Sequence, residues 1–249
     1  MRWPVADGAD PAAPVSGSAP ARHVPADQNR LGGRRLYLCT ADRPDLAAFL
    51  AACIRGGVDI VQLRDKDLDA RPLLARAAVA LAVCRNAGVP FILNDRPDLA
   101  LEAGADGVHV GQDDAPPALA RRILGPDAIV GYSTHATAEL DASVAEPVDY
   151  VSAGPVAETP TKPGRPGTGP GYVTYAAARA GRPVYVTGGV TPDTVAPLVA
   201  AGAGRFVVVR WLTEAADPEA NARALRTAID RLLPPPAEAA AALWSPTSG

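Results

Sequence analysis

Gln62-Leu63-Arg64-Asp65-Lys66 follows directly on an apolar run that starts at Val58. In extended geometry it sets Gln62, Arg64 and Lys66 on one side, so two cations and an amide converge as they would around an anion. Read without function, the same run is a solvated loop. Lysine usage bears on that choice. Of the 24 basic residues only Lys66 and Lys162 are lysines, the others being arginine. Surface positions in this chain accept arginine, so lysine at two loop positions points to a need for a compact ammonium, although chance alone accounts for so small a number.

A second set is acidic. Asn94-Asp95 follows Phe91-Ile92-Leu93, and Gly111-Gln112-Asp113-Asp114 follows the next apolar run. Neighbouring strands lie about 5 Å apart, so Asp95 and Asp114 can approach each other, and a hard divalent cation would relieve their repulsion. The structural alternative pairs Asp95 with Arg96, or has both aspartates cap the helices that follow. Gly131-Tyr132-Ser133-Thr134-His135 offers hydroxyls and an imidazole that could shuttle a proton, while His109, between Val108 and Val110, reads as a packed interior histidine with one bonded nitrogen. A long irregular stretch from Gly154 to Gly171 contains Thr159-Pro160-Thr161-Lys162, whose groups suit an anionic ligand or a mobile surface loop. Gly188-Gly189-Val190-Thr191 can present backbone amides to a phosphate, with Val209-Arg210 adding amides nearby, though a Gly-Gly step also serves tight turns.

These runs need a frame that brings them to one place. Short Val/Ile/Leu/Tyr-rich segments alternate with longer amphipathic Ala/Leu-rich ones. The strands are expected at Arg35 to Thr40, Val58 to Arg64, Pro90 to Asn94, Gly107 to Gly111, Ala128 to Ser133, Asp149 to Gly154, Pro183 to Thr187 and Arg205 to Arg210. Helices follow them, with start signals at Thr191-Pro192 and Asp217-Pro218. Eight β/α units are the number that closes a parallel sheet, so the fold expected is α/β, a single (β/α)8 TIM barrel, with an open doubly wound sheet as the alternative. Either architecture gathers the polar runs at the C-terminal ends of the strands.

Bulk properties narrow the class. A chain of 249 residues, 48% hydrophobic and 20% charged, can build one large core. A net charge of -3 gives no basic field for nucleic acid. No apolar run reaches the roughly 18 residues that span a bilayer, so no membrane association is expected. Cys39, Cys53 and Cys84 lack metal or disulfide spacing, which fits the cytoplasm. Residues 1–33 and 234–249 are rich in Pro, Ala, Gly and Ser without period and are expected to be disordered tails around a catalytic domain over 34–233.

Taken together, the runs at Gln62 to Lys66, Asn94 to Arg96, Val108 to Asp114, Gly131 to His135, Thr159 to Lys162 and Gly188 to Val190 resemble thiamine-phosphate synthases, in that family's order and across roughly Arg34 to Leu233. The resemblance implies condensation of a hydroxymethylpyrimidine diphosphate with a thiazole phosphate, plain or carboxylated, to give thiamine phosphate and pyrophosphate. It implies that Gln62, Leu63, Arg64, Asp65, Lys66, Asn94, Ser133 and Lys162 hold the pyrimidine diphosphate. Asp95 and Asp114 would bind one Mg2+ on its pyrophosphate. Thr159, Pro160, Thr161, Gly189, Val209 and Arg210 would hold the thiazole phosphate. Arg64, Lys66, Ser133 and Lys162 would carry the catalysis. Asp65 stands where that family often has Glu, Val156-Ala157-Glu158 where an aromatic residue is frequent, and Arg210 where many members have Ser. A thiazole tautomerase with His135 as acid/base and a silent phosphate-binding regulator are the competing readings, and self-association into a homo-oligomer is open.

Overall fold

The computed structural model describes residues 31–158 and 166–233. Eight parallel strands close in sequence order into a barrel: β1 (Leu36–Thr40), β2 (Ile60–Leu63), β3 (Phe91–Asn94), β4 (Gly107–Val110), β5 (Ile129–Thr134), β6 (Tyr150–Ala153), β7 (Val184–Thr187) and β8 (Phe206–Val208). Around it lie α1 (Leu46–Arg55), α2 (Ala70–Ala87), α3 (Pro97–Ala103), α4 (Pro117–Leu124), α5 (Thr137–Ser143), α6 (Gly169–Arg179), α7 (Pro192–Ala200), α8 (Arg210–Thr213) and α9 (Pro218–Leu232). The expected closed barrel is the fold, and the open sheet is not. Among the described residues no helix is long and apolar enough to cross a membrane.

Both faces of each strand are buried, which explains why the strands read as continuous apolar runs and not as alternating ones. Leu38, Val61, Leu63, Phe91, Leu93 and Val130 face the helices and join the main core. Tyr37, Ile60, Ile92, Ile129, Tyr150 and Tyr185 form a second cluster that fills the cylinder. Leu31, which the sequence assigns to the tail, is 3% exposed and packs with that inner cluster, so the barrel's ordered chain starts earlier than residue 34.

Three aspartates just before even-numbered strands tie the barrel's lower rim. Asp59, Asp106 and Asp149 accept backbone N–H bonds from Arg35 and Leu36, from Phe91, and from Val130, at 2.7 to 2.9 Å. Each carboxylate thus satisfies amides at the start of the preceding strand, where the ladder has not yet begun. Arg226 and Arg121 pair with Asp59 and Asp149.

The expected helix starts hold. Asp217 accepts from Ala220 N at 2.9 Å, and Thr191 and Thr194 form a reciprocal capping box. One boundary differs. Three successive valines read as strand through Arg210, but the ladder with β1 ends at Val208, and Arg210 opens the short helix α8. The β-branched run gives no local signal for that turn.

Candidate active site

A cavity of about 370 Å³ opens at the C-terminal ends of the strands. Asp95, one residue past β3, lies at its edge with φ 62°, a left-handed conformation found at no other non-glycine residue described. The chain turns there because Asp95 N donates to His109 O of β4 at 2.8 Å. The strained backbone aims the carboxylate across the mouth, where Lys66 Nζ sits 3.1 Å from Asp95 Oδ2. Arg96, the partner suggested by sequence, pairs with Asp98 instead.

Asp114 accepts from Gly111 N at 2.8 Å and also lies within hydrogen-bonding reach of the Asp95 carboxyl. Burial and this second carboxyl push the Asp95 carboxyl above its ordinary range, and Lys66 pulls it back. The donor set fits a magnesium ion, which takes one or two protein carboxylates and completes its shell with phosphate oxygens and water. Among the described residues no group of three His, Cys, Asp or Glu side chains could enclose a metal, so such an ion would need ligand oxygens.

Arg64 and Lys66 line the cavity beside this pair, and Gln62, Asn94 and Ser133 lie deeper in it. Strand alternation separates their neighbours: Leu63 packs into the helix-facing core, and Asp65 accepts from the backbone N–H groups of Asp42, Asp67 and Leu68. The side chains of Leu63 and Asp65 are therefore structural, holding the segment that presents Gln62, Arg64 and Lys66. Gln112, which no sequence argument singled out, donates to Ser133 O at 2.7 Å and lines the cavity. His109 is 8% exposed and bonded at both ring nitrogens, to Tyr150 Oη at 3.0 Å and Ser133 Oγ at 2.9 Å, one more than expected. His135 also faces the cavity, with Nδ1 3.0 Å from Glu139 Oε2.

The other side of the cavity is formed by the segments that follow β7 and β8. Gly188, Gly189 and Val190 line it after β7, and Val209, Arg210 and Trp211 line it after β8. Gly188 has φ 99°, and a β-carbon there would come within 2.7 Å of Pro155 Cα and Val156 N. No other residue fits that turn without moving the loop after β6. Thr159, Pro160, Thr161 and Lys162 lie outside the described residues.

A closed parallel barrel with cations and paired carboxylates on one side of its mouth, and a glycine turn facing them, defines a (β/α)8 enzyme built around anionic small molecules. The sequence profile of the thiamine monophosphate synthase family matches residues 36–212. Thiamine-phosphate synthase of Thermus thermophilus is 51% identical over 198 residues, covering 77% of this chain and 95% of its own. That of Thermobifida fusca is 50% identical over 205 residues, covering 80% and 94%. In structure, thiamine phosphate pyrophosphorylase from Pyrococcus furiosus matches with a TM-score of 0.75, covering 82% of this chain and 100% of that one, and at 24% identity it speaks for the fold alone. This chain belongs to the thiamine monophosphate synthase family, a family of transferases, and its activity is thiamine-phosphate synthesis.

Proposed function

We propose that the cavity holds a hydroxymethylpyrimidine diphosphate and a thiazole phosphate together, and that magnesium is required. The displacement is dissociative: the carbon–oxygen bond breaks first, its electron pair leaving with the pyrophosphate, and the thiazole ring nitrogen then bonds to the carbocation-like pyrimidine methylene carbon. Charge accumulates on the leaving group, so groups placed in advance around it lower the barrier more than they tighten ground-state binding. Arg64 and Lys66 supply positive charge there, Ser133 a hydroxyl, and Lys162 a second ammonium. Gln62 and Asn94 hold the pyrimidine. Gly189, Val209, Arg210 and the segment Thr159 to Thr161 hold the thiazole phosphate. Asp95 and Asp114 would hold one Mg2+, which neutralises pyrophosphate when bound.

The observation that carries this reading is the Asp95, Asp114 and Lys66 cluster facing the Gly188-Gly189 turn across one cavity. One side suits a metal-bound pyrophosphate and the other a phosphate on backbone amides. Incubation with both substrates and magnesium should yield thiamine phosphate and pyrophosphate in equal amounts, and chelation should stop it. Turnover that survives complete metal removal would end the assignment to Asp95 and Asp114. His135 beside Glu139 is the feature a tautomerase would use, and isomerisation of a thiazole phosphate with no pyrimidine diphosphate present would favour that reading instead.

A further inference from the structure

At the floor of the cavity, a file of hydrogen-bonded side chains crosses the barrel interior. Gln62 Nε2 donates to Tyr37 Oη at 2.7 Å, the Tyr37 and Tyr150 hydroxyls are 2.9 Å apart, Tyr150 Oη is 3.0 Å from His109 Nδ1, and His109 Nε2 is 2.9 Å from Ser133 Oγ. None of these five residues is more than 8% exposed. Buried polar groups must find partners within such a file, and each hydroxyl has one proton to give.

With His109 as a neutral imidazole, that accounting leaves one direction. An amide nitrogen only donates, so Tyr37 accepts from Gln62, and for its own buried proton to have a partner in the file it must give it to Tyr150. Tyr150 then donates to Nδ1 of His109, which fixes the imidazole as the tautomer protonated at Nε2, and Nε2 donates to Ser133 Oγ. Ser152 Oγ donates to the same oxygen at 3.4 Å. With its oxygen accepting twice, Ser133 keeps its own proton for the cavity that it lines. The starting amide is held in turn by Cys39, whose thiol donates to Gln62 Oε1 at 3.2 Å. A flipped amide would reverse every bond in the file, and Ser133 would then turn a lone pair toward an incoming anion.

We propose that Gln62, Tyr37, Tyr150 and His109 are positioning residues that hold Ser133 as an obligate hydrogen-bond donor to an anionic oxygen of the ligand. The proposal rests on the reading of Ser133 as a contact to the departing pyrophosphate. Chains of this kind polarise one another, so the terminal donor is strengthened as well as aimed.

Nitrogen-15 NMR of the full-length protein labelled at histidine tests the direction. The chain has three histidines, and loss of one signal in His109→Gln assigns the residue. His109 should carry its proton at Nε2 in the wild type and populate both tautomers in Tyr150→Phe. Kinetics then test the consequence. Ser133→Ala should lower kcat about 100-fold and Tyr150→Phe about tenfold, with smaller effects on KM. The double variant should be no slower than Ser133→Ala alone, because both changes remove one donor. His109→Gln, whose amide nitrogen can replace Nε2 as a donor, should retain more rate than His109→Leu. A proton at Nδ1 in the wild type, or losses that multiply in the double variant, would overturn the proposed file. An unchanged rate in Ser133→Ala would instead remove Ser133 from the reaction, and the reading on which the file rests would go with it.

Discussion

Gly131 lies between His109 and Tyr150 in the register of the sheet, and its missing side chain is the space in which those two residues meet. A β-carbon there would lie 2.1 Å from Tyr150 Cζ, 2.3 Å from Tyr150 Oη and 2.5 Å from His109 Nδ1. Carbon atoms in contact sit about 3.5–4.0 Å apart, so Gly131→Ala requires the tyrosine ring to retreat by roughly 1.5 Å. It has nowhere to go. Tyr150 is fully buried, with the Tyr37 and Tyr185 rings edge-on at centroid distances of 5.9 and 5.2 Å. Overpacking of this kind costs about 1–3 kcal/mol. The two hydrogen bonds of the Tyr150 hydroxyl add about 1 kcal/mol each. A total of about 3–5 kcal/mol lowers Tm by roughly 6–20 °C for a domain of this size. Thermal unfolding followed by circular dichroism measures it, with turnover at a temperature where the variant is folded as the second readout. Gly171→Ala is the control. Gly171 lies exposed in α6 with nothing within 4 Å of its added carbon, and the same substitution there should stabilise by about 0.5–1 kcal/mol. If Gly131→Ala melted within about 1 °C of the wild type and turned over normally, the close approach of Tyr150 and His109 would be no constraint and the argument would fail.

Asp95→Asn should lower kcat by about 100- to 1000-fold and flatten the magnesium dependence, measured by product formation across a metal titration. Gly188→Ala pushes a carbon within 2.7 Å of Pro155 and Val156 and should raise KM for the thiazole phosphate more than for the pyrimidine diphosphate, which steady-state kinetics with each substrate varied will show. Asp149→Ala leaves Val130 N and Arg121 without their carboxylate and should cost about 1–3 kcal/mol in urea denaturation, with KM unchanged because the residue lies at the far rim.

Some of the site was readable from neighbours in sequence, and some was not. Gln62, Arg64 and Lys66 share one side because alternation along an extended segment is a local property, and all three line the cavity. The same alternation turns the Leu63 side chain away, and Asp65 is taken up by amides of Asp42, Asp67 and Leu68. The ion pair of Asp95 with Lys66 was not readable, because sequence offers Arg96 beside Asp95 while the barrel sets the end of β2 next to the end of β3. Tyr37 and Tyr150 are 113 residues apart and gave no sequence signal, since a tyrosine in an apolar strand reads as core.

By itself the sequence determined the order and number of the β/α units, since hydrophobic period and chain breakers are set within a few residues of each other. The tertiary structure alone decided which side chains share a proton, an ion or a cavity. Those relations depend on the closure of β1 against β8 and on the stagger between strands. Pairing of β3 with β4 brings Asp114 close enough to Asp95 to raise the Asp95 carboxyl above its ordinary range, and pairing of β4 with β5 sets Ser133 Oγ 2.9 Å from His109 Nε2.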